Sequence, residues 1–172
     1  MLAPTRGLRN AAAVKIYLVR HGEAVPEEDA GSDRDRWLSR RGRDSVRVLA
    51  RLLREQSLSI DSVVCSPLPR AVQTAELLAE ALDYLGAIES LRCLEPAAQP
   101  QLAGQAVIAR GTAGGSVLVV GHEPNLSNLG AHLLGRPSFP PFRTAQACAI
   151  EDRRPTFTAR ADIAQVQAYF VE

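Results

Sequence analysis

Lysine is almost missing from this chain of 172 residues: Lys15 is the only one, and the other cations are arginines. A guanidinium grips a phosphate with two parallel N–H donors, which an ammonium cannot do, but the bias alone identifies no function. Cysteine is sparse and odd in number, at Cys65, Cys93 and Cys148. Their spacing shows no pairing pattern and reads as reduced thiols in an intracellular, cytoplasmic protein. No apolar run reaches the length of a membrane span, so no membrane association is expected. Excess charge of either sign is missing too. The formal net charge is +1, which gives no reason to expect a nucleic acid or an anionic membrane as partner. Internal repeats and long linkers are also lacking, and the length fits one domain, expected as a monomer. Residues 1–13 carry Arg6 and Arg9, no acid, and no apolar stretch of a secretory signal. They read as a flexible leader ahead of a single domain over 14–172.

What is present is a repeated strand-then-helix pattern. Lys15 to Arg20 is a short apolar, partly β-branched run that predicts a buried strand. Residues 24–39, rich in Pro, Glu, Asp, Gly and Ser, predict a loop. Val46, Leu49, Ala50 and Leu53 recur at helical spacing, and that helix should end near Ser57. Ile60 to Cys65 predicts a second strand, broken by Ser66-Pro67-Leu68-Pro69, and a helix should follow from about Arg70. A weaker helix is expected over 101–110 and a third strand over 116–120. Pro124 suits the first turn of another helix. Residues 145–150 and 156–161 read as two strands joined by a turn at Asp152 to Pro155.

Such alternation implies an α/β fold: a three-layer α/β/α sandwich with a mostly parallel central sheet. Ligands of these sheets bind beyond the carboxyl ends of the strands. Arg20-His21, Arg70 and His122 each fall at or just past such an end, so three distant stretches should converge on one crevice. Two histidines and two arginines there suit phosphoryl transfer. A neutral imidazole nitrogen can attack phosphorus, splitting one hard displacement into two easier ones. Fixed cations stabilise the charge on the phosphoryl oxygens. Arg20 and Arg70 would supply forked donors and a protonated His122 another. Gly22 would let the backbone approach closely, and the N–H groups opening the helix after Pro124 could also face the anion.

Three motifs carry a family resemblance. Leu-Val-Arg-His-Gly-Glu at 18–23, Ser-Pro-Leu-Pro-Arg-Ala-Val-Gln-Thr-Ala at 66–75 and Val-Gly-His-Glu-Pro at 120–124 resemble, in order, the signatures of the histidine phosphatase superfamily, which includes the phosphoglycerate mutases. The resemblance implies a phosphoglycerate mutase-like fold and a phosphatase needing neither cofactor nor metal. His21 would be the nucleophile, Arg20 and Arg70 the phosphate-binding arginines, and His122 the second histidine. The run Arg36-Trp37-Leu38-Ser39 through Gly42 is similar to a stretch of the SixA-like phosphohistidine phosphatases. By that match Arg36 would be a third substrate-binding cation; otherwise it is a solvated loop charge. The superfamily's general acid falls by position on Glu95.

The fuller acid motif of the mutases is missing around Glu95. An alkoxide leaving group gains from a positioned acid, whereas phosphohistidine can leave as neutral imidazole. A weak acid therefore favours phosphohistidine, with histidine-phosphorylated signalling or phosphotransfer proteins as partners. The alternatives are a phosphatase of sugar or nucleotide phosphates, which needs Glu95, and a non-catalytic phosphate-binding protein. A cysteine phosphatase is disfavoured because four residues, two of them proline, separate Cys65 from Arg70 where five are needed. A zinc protease is disfavoured because no second histidine follows His122 at helical spacing. Trp37 is expected to pack, and His132, off the apolar stripe, to be exposed.

Overall fold

A computed structural model describes residues 13–161. The expected leader over 1–13 lies outside the described residues except for Ala13, as does the tail from residue 162. The strands are β1 (Lys15–Arg20), β2 (Ser62–Cys65), β3 (Ile88–Ser90), β4 (Ser116–Gly121), β5 (Gln146–Glu151) and β6 (Arg154–Arg160). The helices are α1 (Glu27–Ala30), α2 (Arg40–Arg54), α3 (Pro69–Ala81), α4 (Pro100–Ile108) and α5 (Asn125–Leu134). A 3-10 turn at Arg92–Leu94 lies between β3 and α4.

All six strands form one sheet in the order β3-β2-β4-β1-β5-β6. β1 to β4 run parallel, β5 is antiparallel to β1, and β6 is antiparallel to β5. The period-2 alternation of strand side chains sorts the parallel strands into two cores. Tyr17, Val19, Val63, Cys65, Leu118 and Val120 face one way, onto Val46, Leu49 and Leu53 of α2 and Ala71, Ala75 and Leu78 of α3. Ile16, Leu18, Val64, Val117 and Val119 face the other way, onto Ala103 and Val107 of α4 and Leu126, Leu129 and Leu134 of α5. Burial on both faces explains why these strands read as continuous apolar runs. The expected three layers are present.

Local chemistry sets the boundaries. Ser39 caps α2, its hydroxyl oxygen accepting from the Gly42 N–H at 2.9 Å. That helix stops at Arg54, a turn short of expectation, and Ser57 is left-handed at φ 53°. Pro69 opens α3 at its first turn, where a missing N–H costs nothing. Pro124 was expected inside the first turn of α5 but instead occupies the position just before it. The hairpin turn is Asp152-Arg153, both at positive φ (50° and 58°), as a two-residue mirror-type turn requires. β3 and α1 were not expected. β3 is three residues long and mostly exposed, too short to show a period.

Candidate active site

Strand register builds the site. Arg20 of β1 lies opposite Gly121 of β4, and Cys65 of β2 lies opposite Val120. One residue further on, His21, Ser66 and His122 leave the same edge of the sheet. The His21 N–H donates to the Gly121 carbonyl at 3.2 Å, and its carbonyl accepts from the Ala145 N–H at 3.1 Å. The Ser66 N–H donates to the Val120 carbonyl at 3.0 Å. Both histidines are buried, and their ring centroids stand 4.8 Å apart.

They open on a cavity of about 290 Å³ whose wall includes Arg20, His21, Arg36, Arg70 and His122, together with Glu23, Asp33, Pro96, Glu123 and Thr144. Four of the expected residues, Arg20, His21, Arg70 and His122, are thus brought together, and Arg36 joins them. The Arg36 Nε donates to the Val25 carbonyl at 2.7 Å and its Nη1 to the Asp33 carboxylate at 2.9 Å, which keeps the head group on the wall. Arg20 Nη1 donates to the Phe142 carbonyl at 2.6 Å, while its Nε is buried with no partner among the described residues.

The His21 Nδ1 lies 2.6 Å from the Gly22 carbonyl, which can only accept, so Nδ1 carries the ring proton and Nε2 keeps its lone pair. Burial, opposed by that hydrogen bond and reinforced by Arg70, Arg20 and Arg36, lowers the His21 pKa to about 4. Burial, followed by the repulsion each imidazole would feel if both were charged and by the charge of Arg70, drives the His122 pKa down to about 2. The condition under which His122 would add a charged donor, its protonation, is thus disfavoured in the free protein: two buried rings beside three guanidiniums stay neutral.

Gly22 and Glu95 also sit differently from expectation. The Gly22 N–H donates to Thr74 Oγ1 at 3.1 Å and its carbonyl accepts from His21, so its backbone faces inward rather than toward a ligand. A Cβ there would come within 2.8 Å of the Gly42 carbonyl oxygen and of Val46, so Gly22 is needed for the close approach of α2. Glu95 is held by Arg34 at 3.0 Å and does not line the cavity, although its neighbour Pro96 does. No residue of α5 lines the cavity either. The Glu123 carboxylate occupies the start of that helix, accepting from the Ser127 hydroxyl at 2.7 Å and the Phe142 N–H at 3.3 Å.

Several contributors were missed from sequence. Asp33 accepts from Arg70 and Arg36, and hydrogen bonding from Arg36 is the main reason its pKa lies below the usual carboxylate value. Thr74 joins the first motif to the second: its hydroxyl oxygen accepts from the Gly22 N–H at 3.1 Å while its hydrogen is donated to the Arg70 carbonyl at 2.7 Å. Ser66 and Thr74 lay within the second motif, but only spatial pairing reveals their partners. Trp37, expected to pack, is 38% exposed, whereas His132 is exposed as expected. Cys65 is buried against Ser90, and burial pushes its thiol pKa up, the reverse of what a nucleophilic thiol needs.

The family model of the histidine phosphatase superfamily (branch 1) matches residues 16–96. The chain is 34% identical over 140 residues to the phosphohistidine phosphatase SixA of Escherichia coli (strain K12), covering 80% of this chain and 84% of that one. A solved structure of the protein histidine phosphatase SixA complexed with tungstate superposes with a TM-score of 0.76 at 31% identity, over 86% of this chain and 97% of that one. A phosphoglycerate mutase from Bacillus anthracis str. Sterne shares the fold at a TM-score of 0.62 and 16% identity, over 92% of this chain and 97% of that one. With its three motifs converging on one cavity, the chain belongs to the histidine phosphatase superfamily.

Proposed function

We propose that this protein is a metal-independent phosphohistidine phosphatase that passes the phosphoryl group through His21. The observation that carries the reading is the free Nε2 of a neutral, buried His21 facing a cavity walled by Arg20, Arg36 and Arg70. The nucleophile attacks phosphorus and the leaving group departs. Water then attacks the phosphohistidine, releasing inorganic phosphate and restoring His21. The guanidiniums meet charge that the phosphoryl oxygens carry throughout, so they need not reorganise between the two steps.

The choice of substrate follows from the carboxylates. Glu23 accepts from Ser39, Asp33 from Arg36 and Arg70, and Glu123 from Ser127 and Phe142. Glu95 is tied to Arg34. None stands free to hand a proton to an alkoxide. An imidazole leaving group places the smallest demand on such a proton, and the likeness to SixA supports the same class of substrate.

The test is a panel comparing a histidine-phosphorylated protein with sugar and nucleotide phosphates, run with and without chelator. Phosphohistidine should be hydrolysed fastest and chelator should have no effect. Faster turnover of a sugar or nucleotide phosphate, with strong dependence on Glu95, would replace this reading with that of an ester phosphatase. Loss of activity in chelator would overturn the metal-free claim. Failure to trap acid-labile, alkali-stable phosphate on the wild-type chain, where His21→Ala serves as the blank, would leave a phosphate-binding protein.

A further inference from the structure

We propose that Ser66 is a positioning residue that fixes His122 as its Nδ1–H tautomer, so that the ring presents a proton, and not a lone pair, to the phosphoryl group at His21. The proposal takes its catalytic meaning from the phosphatase reading above.

Ser66 is fully buried, and its backbone is pinned to β4 by the bond to the Val120 carbonyl. Its hydroxyl is therefore held at a fixed place beside His122, with Oγ 2.8 Å from the His122 Nε2. Either atom could in principle donate across that contact, but the surroundings decide. Ser66 Oγ already accepts from the Leu68 N–H at 3.3 Å. Among the described residues, its hydroxyl hydrogen finds one acceptor, the His122 Nε2. An accepting Nε2 must keep its lone pair, so a neutral ring places its proton on Nδ1. Burial and the neighbouring cations keep the ring neutral.

The His122 Nδ1 is itself buried and has no partner among the described residues. His122 lines the cavity, and its ring is 4.8 Å from that of His21. A buried N–H donor without an acceptor is unusual in a folded protein and often marks a function. Here a phosphoryl oxygen is the acceptor it lacks. His21 carries the same tautomer but shows its other face: Nδ1–H is turned back onto Gly22 and the Nε2 lone pair is left for phosphorus. One carbonyl and one hydroxyl thus make a matched pair, a lone pair on one ring and a donor on the next. With the proton on Nε2 instead, His122 would aim its lone pair at anionic oxygens.

The tautomer can be read directly. The chain has three histidines, His21, His122 and His132, so ¹⁵N-histidine spectra assign by single replacement. In the wild type at neutral pH, His122 should show a protonated Nδ1 and an unprotonated Nε2. In Ser66→Ala that pattern should shift toward the other tautomer, with kcat lowered about tenfold or more as an orienting partner is lost, and KM changed far less. Ser66→Thr keeps the hydroxyl and should restore both spectrum and kcat. A wild-type His122 protonated at Nε2 overturns the proposal and leaves the phosphatase reading intact. So does a Ser66→Ala variant with unchanged spectrum and kcat. If Ser66→Ala does not fold, the wild-type spectrum alone decides. An Nδ1–H His122 in a protein inactive on every phosphate would support the tautomer lock and sink the phosphatase reading instead.

Discussion

Asp33 holds Arg70 with two different groups: its backbone carbonyl accepts from Nη1 at 2.6 Å and its carboxylate from Nη2 at 3.1 Å. The other carboxylate oxygen accepts from Arg36. An acid on the cavity wall thus engages two of the three cations on which an incoming anion depends. Without the carboxylate the carbonyl would still orient Arg70, but one negative charge would no longer oppose the phosphoryl group.

Asp33→Asn should therefore tighten binding of inorganic phosphate, measured as product inhibition, by roughly fivefold, the effect of about 1 kcal/mol of relieved repulsion near a wet surface. Weaker phosphate binding in this variant would show that the carboxylate's ordering of Arg70 outweighs its charge.

Acidification should weaken the fold before it removes the nucleophile. An unfolded histidine takes up a proton near its ordinary value of 6.5, whereas folded His21 resists until about 4. Between those values the unfolded chain binds more protons, so stability is complete above pH 6.5 and declines as pH falls toward 4. His21 alone accounts for a loss on the order of 3 kcal/mol, and His122 acts in the same direction. Denaturant midpoints measured from pH 7 to pH 4 should fall steadily. His21→Asn should flatten part of that slope, and an equal slope in both proteins would contradict the buried neutral state.

Thr74→Val keeps the shape of a buried side chain but leaves the Gly22 N–H without its acceptor. A stranded buried donor costs about 1–3 kcal/mol, so the urea midpoint should fall accordingly. Activity per folded molecule should fall as well, because Gly22 carries the carbonyl that sets the His21 tautomer. A variant as stable as the parent would mean that the 3.1 Å contact contributes nothing.

Gly42→Ala tests the join between β1 and α2. A Cβ at position 42 would lie 1.9 Å from the Glu23 carbonyl oxygen, a backbone atom that cannot swing aside. The helix would have to move off the segment carrying His21, with a cost of about 3 kcal/mol or more. Gly31→Ser, where nothing lies within 4 Å but φ is +81°, is the comparison: its penalty is conformational only and should be smaller.

Much of the site was legible because its parts sit at the ends of strands. Arg20, His21 and His122 follow apolar runs whose burial is written in composition, and parallel pairing gathers their ends without any knowledge of side-chain contacts. Asp33 was not legible. It lies in a segment with no period, 37 residues before the arginine it holds, and nothing in an acidic loop says which guanidinium it will meet. The neutrality of His122 was not legible for the same reason. Charge state depends on burial and on cations such as Arg70, 52 positions away, and neither can be read from the residues beside it. β3 was not legible because three mostly exposed residues carry no pattern; its place at the sheet edge comes from pairing with β2.

The two imidazoles hang from adjoining strands, one step past a matched pair, and neighbouring strands lie ~4.8 Å apart wherever backbone hydrogen bonds join them. Backbone geometry therefore sets where the two rings are rooted, and the Gly22 carbonyl and the Ser66 hydroxyl set how they turn. Selection can rebuild every wall of the cavity, admit a broader or narrower phosphorylated surface, or trade one arginine for another. The spacing of the two backbone positions that carry the imidazoles stays the same, because it is a property of the peptide group.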